Sequence, residues 1–305
     1  MPTVLITGGT GLIGRALSQA LLEKGYQVII LTRDTAKVSP GRPGLFYAKW
    51  DIGKKIIDKD AFSAADHIIH LAGAGIADKR WTKRRKEEIR ASRVNSSRLI
   101  VDSLQGIPNK IRTVVSSSAI GWYGPDPASP SPFIETAPPA TDFLGETCRQ
   151  WEESIKLVAG SGKRLVILRT GIVLSSEGGA LKEFVRPLRF RIAAILGKGR
   201  QVMSWIHITD LVNMYIAGIT EDNLNGIYNA VAPQPVSNKE LVMALARSRK
   251  KPFIPVHVPS FVLKVLLGEM SVEVLKSTTV SCQKIIDTGF GFLYTDINNA
   301  MAATR

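Results

Sequence analysis

A chain of 305 residues can bury a full core as one large domain or two, and its 45% hydrophobic and 22% charged content is ordinary for a globular protein. No apolar run reaches the ~18–20 residues of a membrane span, no basic region with an apolar core and cleavage site opens the chain, and the two cysteines, Cys148 and Cys282, lack metal-ligand spacing. The expectations are therefore a cytoplasmic protein with no membrane partner, no disulfide scaffold and no metal. The net charge of +14 raises nucleic acid as a partner, but no recognition module accompanies it and the densest basic run, 79–86, is followed at once by Glu87 and Glu88. A solvated helix face, or attraction of anionic cofactors and substrates, explains the charge more simply.

Thr3-Val4-Leu5-Ile6 reads as a first strand, followed by Gly8-Gly9-Thr10-Gly11-Leu12-Ile13-Gly14 and a helix from 12 to about 24, with Leu12, Ile13, Ala16, Leu17, Ala20 and Leu21 at helical spacing. This is the first half of a dinucleotide-binding βαβ unit. The glycines permit the tight turn, the approach of backbone to a pyrophosphate and close packing of helix on strand. The helix start turns its amides and positive dipole end toward the anion.

The apolar stretch 26–31 is a strand buried on both faces, ending at Thr32-Arg33-Asp34. NAD-binding units usually carry an acid here for the ribose 2′-hydroxyl. In this chain Thr32 holds the strand end and Arg33 follows, and a guanidinium suits a 2′-phosphate, which favours NADP(H). Asp34 is either a ribose ligand or a turn residue. Residues 35–44 read as a loop and 45–48 as a third strand; Asp51, just beyond, either faces the adenine amine or sits in a surface turn.

A fourth strand at 67–71 runs into Ala72-Gly73-Ala74-Gly75, small residues that let a cofactor backbone pass close by. His70, inside that strand, reads as a satisfied core histidine. A long helix spans about 81–104. A fifth strand at 111–115 leads into Ser116-Ser117-Ser118 and on to Gly124, and such a strand end is where ligands bind in open α/β sheets. Residues 125–141 hold six prolines and suggest a lid or substrate loop. A helix at 144–158 and a sixth strand at 164–168 follow. Beyond Gly171, short helices and turns replace the regular alternation; Thr209 or Asp210 is a natural N-cap, 226–229 a short strand and 261–267 a small apolar helix.

With these pieces placed, the chain resembles the extended short-chain dehydrogenase/reductase (epimerase/dehydratase) superfamily over essentially its whole length. The resemblance rests on the glycine turn, on 70–75, 116–124, 168–175 and 205–211, and it is closest to an atypical NADP-binding epimerase group, some of whose members are labelled cell-division-inhibitor-like. Thr32-Arg33, Ser92-Arg93, the run 142–148 before Trp151-Glu152, and the segment 254–290 support the narrower likeness. The resemblance implies cofactor contacts from Gly8, Gly11, Leu12, Ile13, Gly14, Thr32, Arg33, Asp51, Leu71, Ala72, Gly73, Glu88, Arg93 and Ile172.

The departure matters more than the match. Superfamily members carry a Tyr and, four residues later, a Lys on the helix after the Pro-rich loop; here the positions hold Leu144 and Cys148. Proton transfer by a positioned acid is worth ~10²–10⁴-fold, so the loss is not a small edit. Ser118 is the best-matched survivor, with Ser117 beside it, and each is either catalytic or a turn and capping serine. Tyr123 is either a replacement acid or aromatic packing under the loop, and Cys148 either a reactive thiol or an inert buried one. Arg93 takes the place of an Asn common in the superfamily, and Glu88 either contacts the cofactor or pairs with a nearby base.

The expected architecture is α/β: a Rossmann-type doubly wound parallel sheet in residues 1–175, then a smaller, mainly helical C-terminal domain in 176–305, with strands free to interleave. The site belongs in the cleft at the strands' carboxyl ends. The functional expectation is an NADP(H)-dependent oxidoreductase or epimerase acting on a small carbonyl or sugar-like substrate. The alternative is a non-catalytic NADP-binding regulator with a protein partner. Oligomeric state stays open.

Overall fold

The apolar run Thr3–Thr7 is buried along its whole length and forms β1, the centre of the sheet. The computed structural model describes residues 1–35, 42–128 and 131–304, so parts of the expected 35–44 loop and 125–141 loop lie outside the described residues. After β1 come α1 (Leu12–Glu23), β2 (Gln27–Thr32), β3 (Leu45–Asp51), β4 (Ile56–Ile57), α2 (Lys59–Ala64) and β5 (His67–His70). The chain continues through α3 (Lys83–Gly106), β6 (Thr113–Ala119), α4 (Phe143–Lys156) and β7 (Arg164–Thr170). Next are β8 (Ile172–Leu174), α5 (Ala180–Leu188), β9 (Ile192–Leu196), β10 (Val202–Met203), β11 (Trp205–His207), α6 (Ile208–Thr220) and β12 (Gly226–Ala230). The remainder holds β13 (Val236–Ser237), α7 (Asn238–Ser248), β14 (Ile254–Val258), α8 (Ser260–Leu267), α9 (Ser271–Leu275), α10 (Gln283–Ile286) and α11 (Ile297–Ala303).

Eight strands form one sheet in the order β12-β7-β6-β5-β1-β2-β3-β4, parallel throughout except for the β3–β4 pair. Period-two alternation puts the two faces of β1 against different layers. Val4 and Ile6 pack with Leu17 and Leu21 of α1 and Leu211 and Tyr215 of α6. Leu5, on the other face, packs with Phe62 of α2 and Leu99, Ile100 and Leu104 of α3. Helices on both faces explain why these strands read as continuous apolar runs.

The chain leaves β1 toward β2 and β3, then crosses back to place β5 on the other side of β1. The carboxyl ends of β1 and β5 therefore flank the topological switch point, where doubly wound sheets open a crevice.

Residues 176–305 interleave with the main sheet. β12 extends the main sheet beside β7, and α6 covers one of its faces, so the division at 175 does not coincide with the edge of the sheet. Outside the sheet, the described residues also form three strand pairs: β8–β11 and β10–β13 beside Leu174, Trp205, Leu241, Leu245 and Met301, and β9–β14 beside Val242 and Ala246. Neither Thr209 nor Asp210 caps α6. His207 does, accepting from the Thr209 amide at 3.2 Å, while the buried Asp210 carboxylate accepts from the amides of Leu293 and Tyr294 at 2.8 and 3.0 Å. Asp210 thus ties the C-terminal segment to α6.

Candidate cofactor site at the switch point

Thr7, the last residue of β1, organises the crevice. Its Oγ1 lies 2.7 Å from Nδ1 of His70 and accepts from the amides of Leu71 and Ala72 at 3.2 and 3.3 Å. His70 is fully buried, reaches Ser97 and Ser96 through Nε2, and burial pulls its pKa down to about 3. It is a neutral core histidine, and its network fixes the chain leaving β5.

The glycine turn lies against that chain. Gly8 adopts φ +69, and a Cβ there would sit 2.9 Å from the Leu71 carbonyl carbon. A Cβ on Gly14 would sit 2.5 Å from the Gly8 carbonyl oxygen. Both contacts are with backbone, which has no flexible end to give way, so only glycine holds this geometry. The turn delivers Gly11 as the N-cap of α1 with no side-chain cap, whereas Thr82, Asp142 and Ser237 cap α3, α4 and α7 through their side chains. The first amides of α1, from Leu12 and Ile13 onward, thus meet no capping side chain, and such a helix start accepts an anion.

Around this cradle the structure gathers Gly8, Gly11, Leu12, Ile13, Gly14, Leu71, Ala72 and Gly73. Gly73 faces the Arg93 guanidinium, whose carbon would lie 3.1 Å from a Cβ there. Arg93 is buried and donates to the carbonyls of Ala74 and Ile89 at 3.0 and 2.9 Å, with its guanidinium 5.0 Å from the Trp151 ring centre. Burial lowers its pKa from the ordinary value, and among the described residues it makes no ion pair. At the end of β2, Thr32 turns the chain by hydrogen bonding to Asp34, and Arg33 is exposed.

Three further expected contacts have partners within the protein. Asp51 ends β3 and accepts from the Lys54 amide at 3.1 Å through Oδ1. Glu88 pairs with Arg85 at 2.7 Å and lies exposed on α3, its pKa lowered by that bond. Ile172 lies in β8, bonded through its amide to Ser204 and in register with Trp205, and is held by the C-terminal part of the fold. The basic run 79–86 is partly neutralised: Arg85 is buried against Asp78 and Glu88, and Lys86 pairs with Glu269.

The serine cluster lies within β6, which extends to Ala119, because tertiary partners satisfy its hydroxyls. Ser117 bonds the Tyr215 hydroxyl. Ser118 donates to Glu152 of α4 at 2.7 Å, and Glu152 is gripped by Arg169 through Nε at 2.8 Å and Nη2 at 2.9 Å. Arg169 also donates to the Tyr123 hydroxyl and the Glu135 carbonyl, both at 3.0 Å, and lies 3.7 Å from the Trp122 ring centre. Burial opposes the charge on Arg169, but the bonds and charge of Glu152 outweigh it and raise its pKa.

Tyr123 donates to Asn229 at 2.6 Å and stacks on Phe133. Burial raises its pKa, with Arg169 opposing in part. The hydroxyl of Tyr123 is committed on both sides, and the proton of Ser118 is committed to Glu152; neither has the geometry of a free proton donor. The Cys148 thiol is buried, points at the Ala119 carbonyl and is pushed up to about 12 by burial, which opposes formation of a thiolate. Glu152, Arg169 and Asn229 escaped the sequence reading; Trp151-Glu152 stood out as a motif, but its partners lie on β6 and β7.

A doubly wound sheet with a glycine cradle at its switch point defines the class: a Rossmann-type α/β protein. The chain belongs to the NAD dependent epimerase/dehydratase family, whose model matches residues 4–230, and residues 258–304 match a domain of unknown function, DUF1731. It is 34% identical over 304 residues to the chloroplastic SDR39U1 homolog of Arabidopsis thaliana, covering 99% of this chain and 86% of that protein. An epimerase family protein of Staphylococcus saprophyticus is 35% identical over 302 residues, covering 99% and 98%. Among solved structures, human epimerase family protein SDR39U1 (isoform 2), crystallised with NADPH, superposes with a TM-score of 0.85 at 27% identity, covering 99% of this chain and 98% of that one. The UDP-glucuronic acid 4-epimerase of Bacillus cereus, at 18% identity and a TM-score of 0.80, shares the fold. Among the described residues no helix is long and apolar enough to cross a membrane and no cluster of metal-ligating side chains occurs.

Proposed function

We infer that the protein binds NADP(H) in the switch-point crevice and acts as an oxidoreductase or epimerase on a small carbonyl or sugar-like substrate. The observation that carries the reading is the cradle: Gly8 and Gly14 leave no room for a Cβ at the start of an α1 with no side-chain cap. The NADPH of the human relative supports the choice of cofactor. When bound, the nicotinamide supplies hydride transfer. The α1 amides would hold the pyrophosphate, Arg33 the 2′-phosphate, and Arg93 a negative group beside Gly73. Ser118 and Tyr123 hold the wall of the cleft through Glu152, Arg169 and Asn229, and neither supplies the proton.

That closed network also favours a second reading, a cofactor-binding regulator without turnover. Loss of NADPH absorbance against a panel of carbonyl compounds separates the two. The enzyme reading expects turnover of at least one compound, retained within about tenfold in Tyr123→Phe, since a group that is not the acid does not contribute the ~10²–10⁴-fold of one. Tight NADPH binding with no turnover across the panel would replace it with the regulator.

A further inference from the structure

Basic residues without acidic neighbours gather in two later segments of the chain. Residues 186–200 and 247–267 contain ten Lys and Arg and no Asp or Glu, against a net charge of +14 for the whole chain. These two segments meet in the parallel β9–β14 pair. Ala193 and Ile195 of β9 are buried against Val242 and Ala246 of α7, so the opposite face carries Ile192, Ala194 and Leu196 beside their register partners Ile254, Val256 and Val258. Among the described residues no layer covers that face: Ile254 is 67% and Val256 40% exposed.

The apolar surface continues past Pro259 into α8, whose single buried residue is Leu263 and which exposes Phe261, Val265 and Leu266 at 66–70%. Phe190, just before β9, is 77% exposed. At the start of the strand pair, on the side of α5 and α7, a cavity of about 410 Å³ is lined by Leu188, Ala246 and Phe253 together with Arg189, Arg249, Lys250 and Lys251. Arg191 and Lys250 hold left-handed backbone, φ 62 and 52, where glycine or asparagine would be relaxed. Helix dipoles attract a cation or two to a helix end, but not a surface emptied of carboxylates.

Two occupants fit poorly. A second copy would bring two cationic rims together, and strand addition on β14 is blunted. Ile254 donates to Arg191 at 2.8 Å, so residues 254, 256 and 258 turn their backbone groups to β9 and the outward edge falls to Pro255, which has no N–H, and His257. An anionic surface with an apolar interior satisfies both halves of the patch at once.

We propose that the β9–β14 face and α8 form a peripheral docking surface for an anionic lipid bilayer, with Phe190, Phe261 and Leu266 entering the interface and the basic residues of the two segments drawing the lipid phosphates. The sequence excludes a spanning helix here, and surface attachment needs none.

The test is co-sedimentation of the full chain with vesicles of phosphatidylcholine alone or mixed with phosphatidylglycerol, checking each variant for an unchanged NADPH-induced melting shift. The protein pellets with the anionic vesicles and not the neutral ones, and rising salt releases it. The triple variant Arg189→Glu, Lys250→Glu, Lys251→Glu lowers affinity by more than about tenfold, in line with the attraction each basic residue feels near such a surface. Phe261→Ser with Leu266→Ser lowers it at unchanged charge. Soluble glycerol phosphate does not compete at the concentration of the vesicle phosphate. Three results would overturn the proposal: no binding to anionic vesicles, binding indifferent to both variants, or a dimer in sedimentation equilibrium that Phe261→Ser disperses.

Discussion

Glu152 shows how much a single side chain carries in this cleft. It is 1% exposed, takes two bonds from Arg169 and one from Ser118, and stands one turn beyond Cys148 on α4. Removing one partner of a buried pair leaves the other charge uncompensated at a cost of ~3–5 kcal/mol. Glu152→Gln is therefore expected to lose stability of that order in urea unfolding, and Ser118→Ala about 1.5–3 kcal/mol for its bond to a charged group. A neutral Glu152→Gln would remove the network from the account. At this scale the sequence was partly legible. The type and position of Ser118, Tyr123 and Cys148 were readable, but not what their polar atoms bond to. Ser118 and Glu152 are 34 residues apart, and Tyr123 and Asn229 are 106 apart. No local pattern records such pairings.

At the scale of elements, the glycine turn and the strand it meets act together. Gly8→Ala would force a β-carbon to within 2.9 Å of the backbone after β5 and strain a φ of +69. It is expected to abolish the NADPH-induced rise in melting temperature. Gly25→Ala is the control: its φ of +80 is also left-handed, but no atom lies within 4 Å, so it should cost about 1 kcal/mol and leave the cofactor shift intact. Equal loss of the shift in both would mean the turn has no special part in binding. β1, β2 and β5 were legible because strands buried on both faces are continuous apolar runs. The sequence places this strand at 111–115 whereas β6 runs Thr113–Ala119, because its serines are polar by type yet buried by tertiary bonding. The partner of β12 and the three small strand pairs were hidden, since each pairing joins segments far apart in the chain.

For the whole molecule, three buried histidines set the response to acid. Burial lowers His67, His70 and His207 from the ordinary 6.5 to about 4, 3 and 4. The folded chain then refuses protons that the unfolded chain takes up, so this stability is full above pH 6.5 and is lost as pH falls toward 4 and 3. The urea midpoint should fall steadily between pH 7 and pH 4, and a flat profile would contradict the burial of these rings. The doubly wound sheet puts its switch point between β1 and β5 and leaves Arg33 at the end of β2, one strand away. That arrangement suits an NADP(H) site. Titration of the wild type and Arg33→Ala with NADPH and NADH tests it most directly. Wild type should bind NADPH roughly 10- to 100-fold more tightly, the worth of a charge-assisted contact of about 1.5–3 kcal/mol, and Arg33→Ala should erase the preference by weakening NADPH alone. Equal wild-type affinity for the two, or equal losses on substitution, would contradict it.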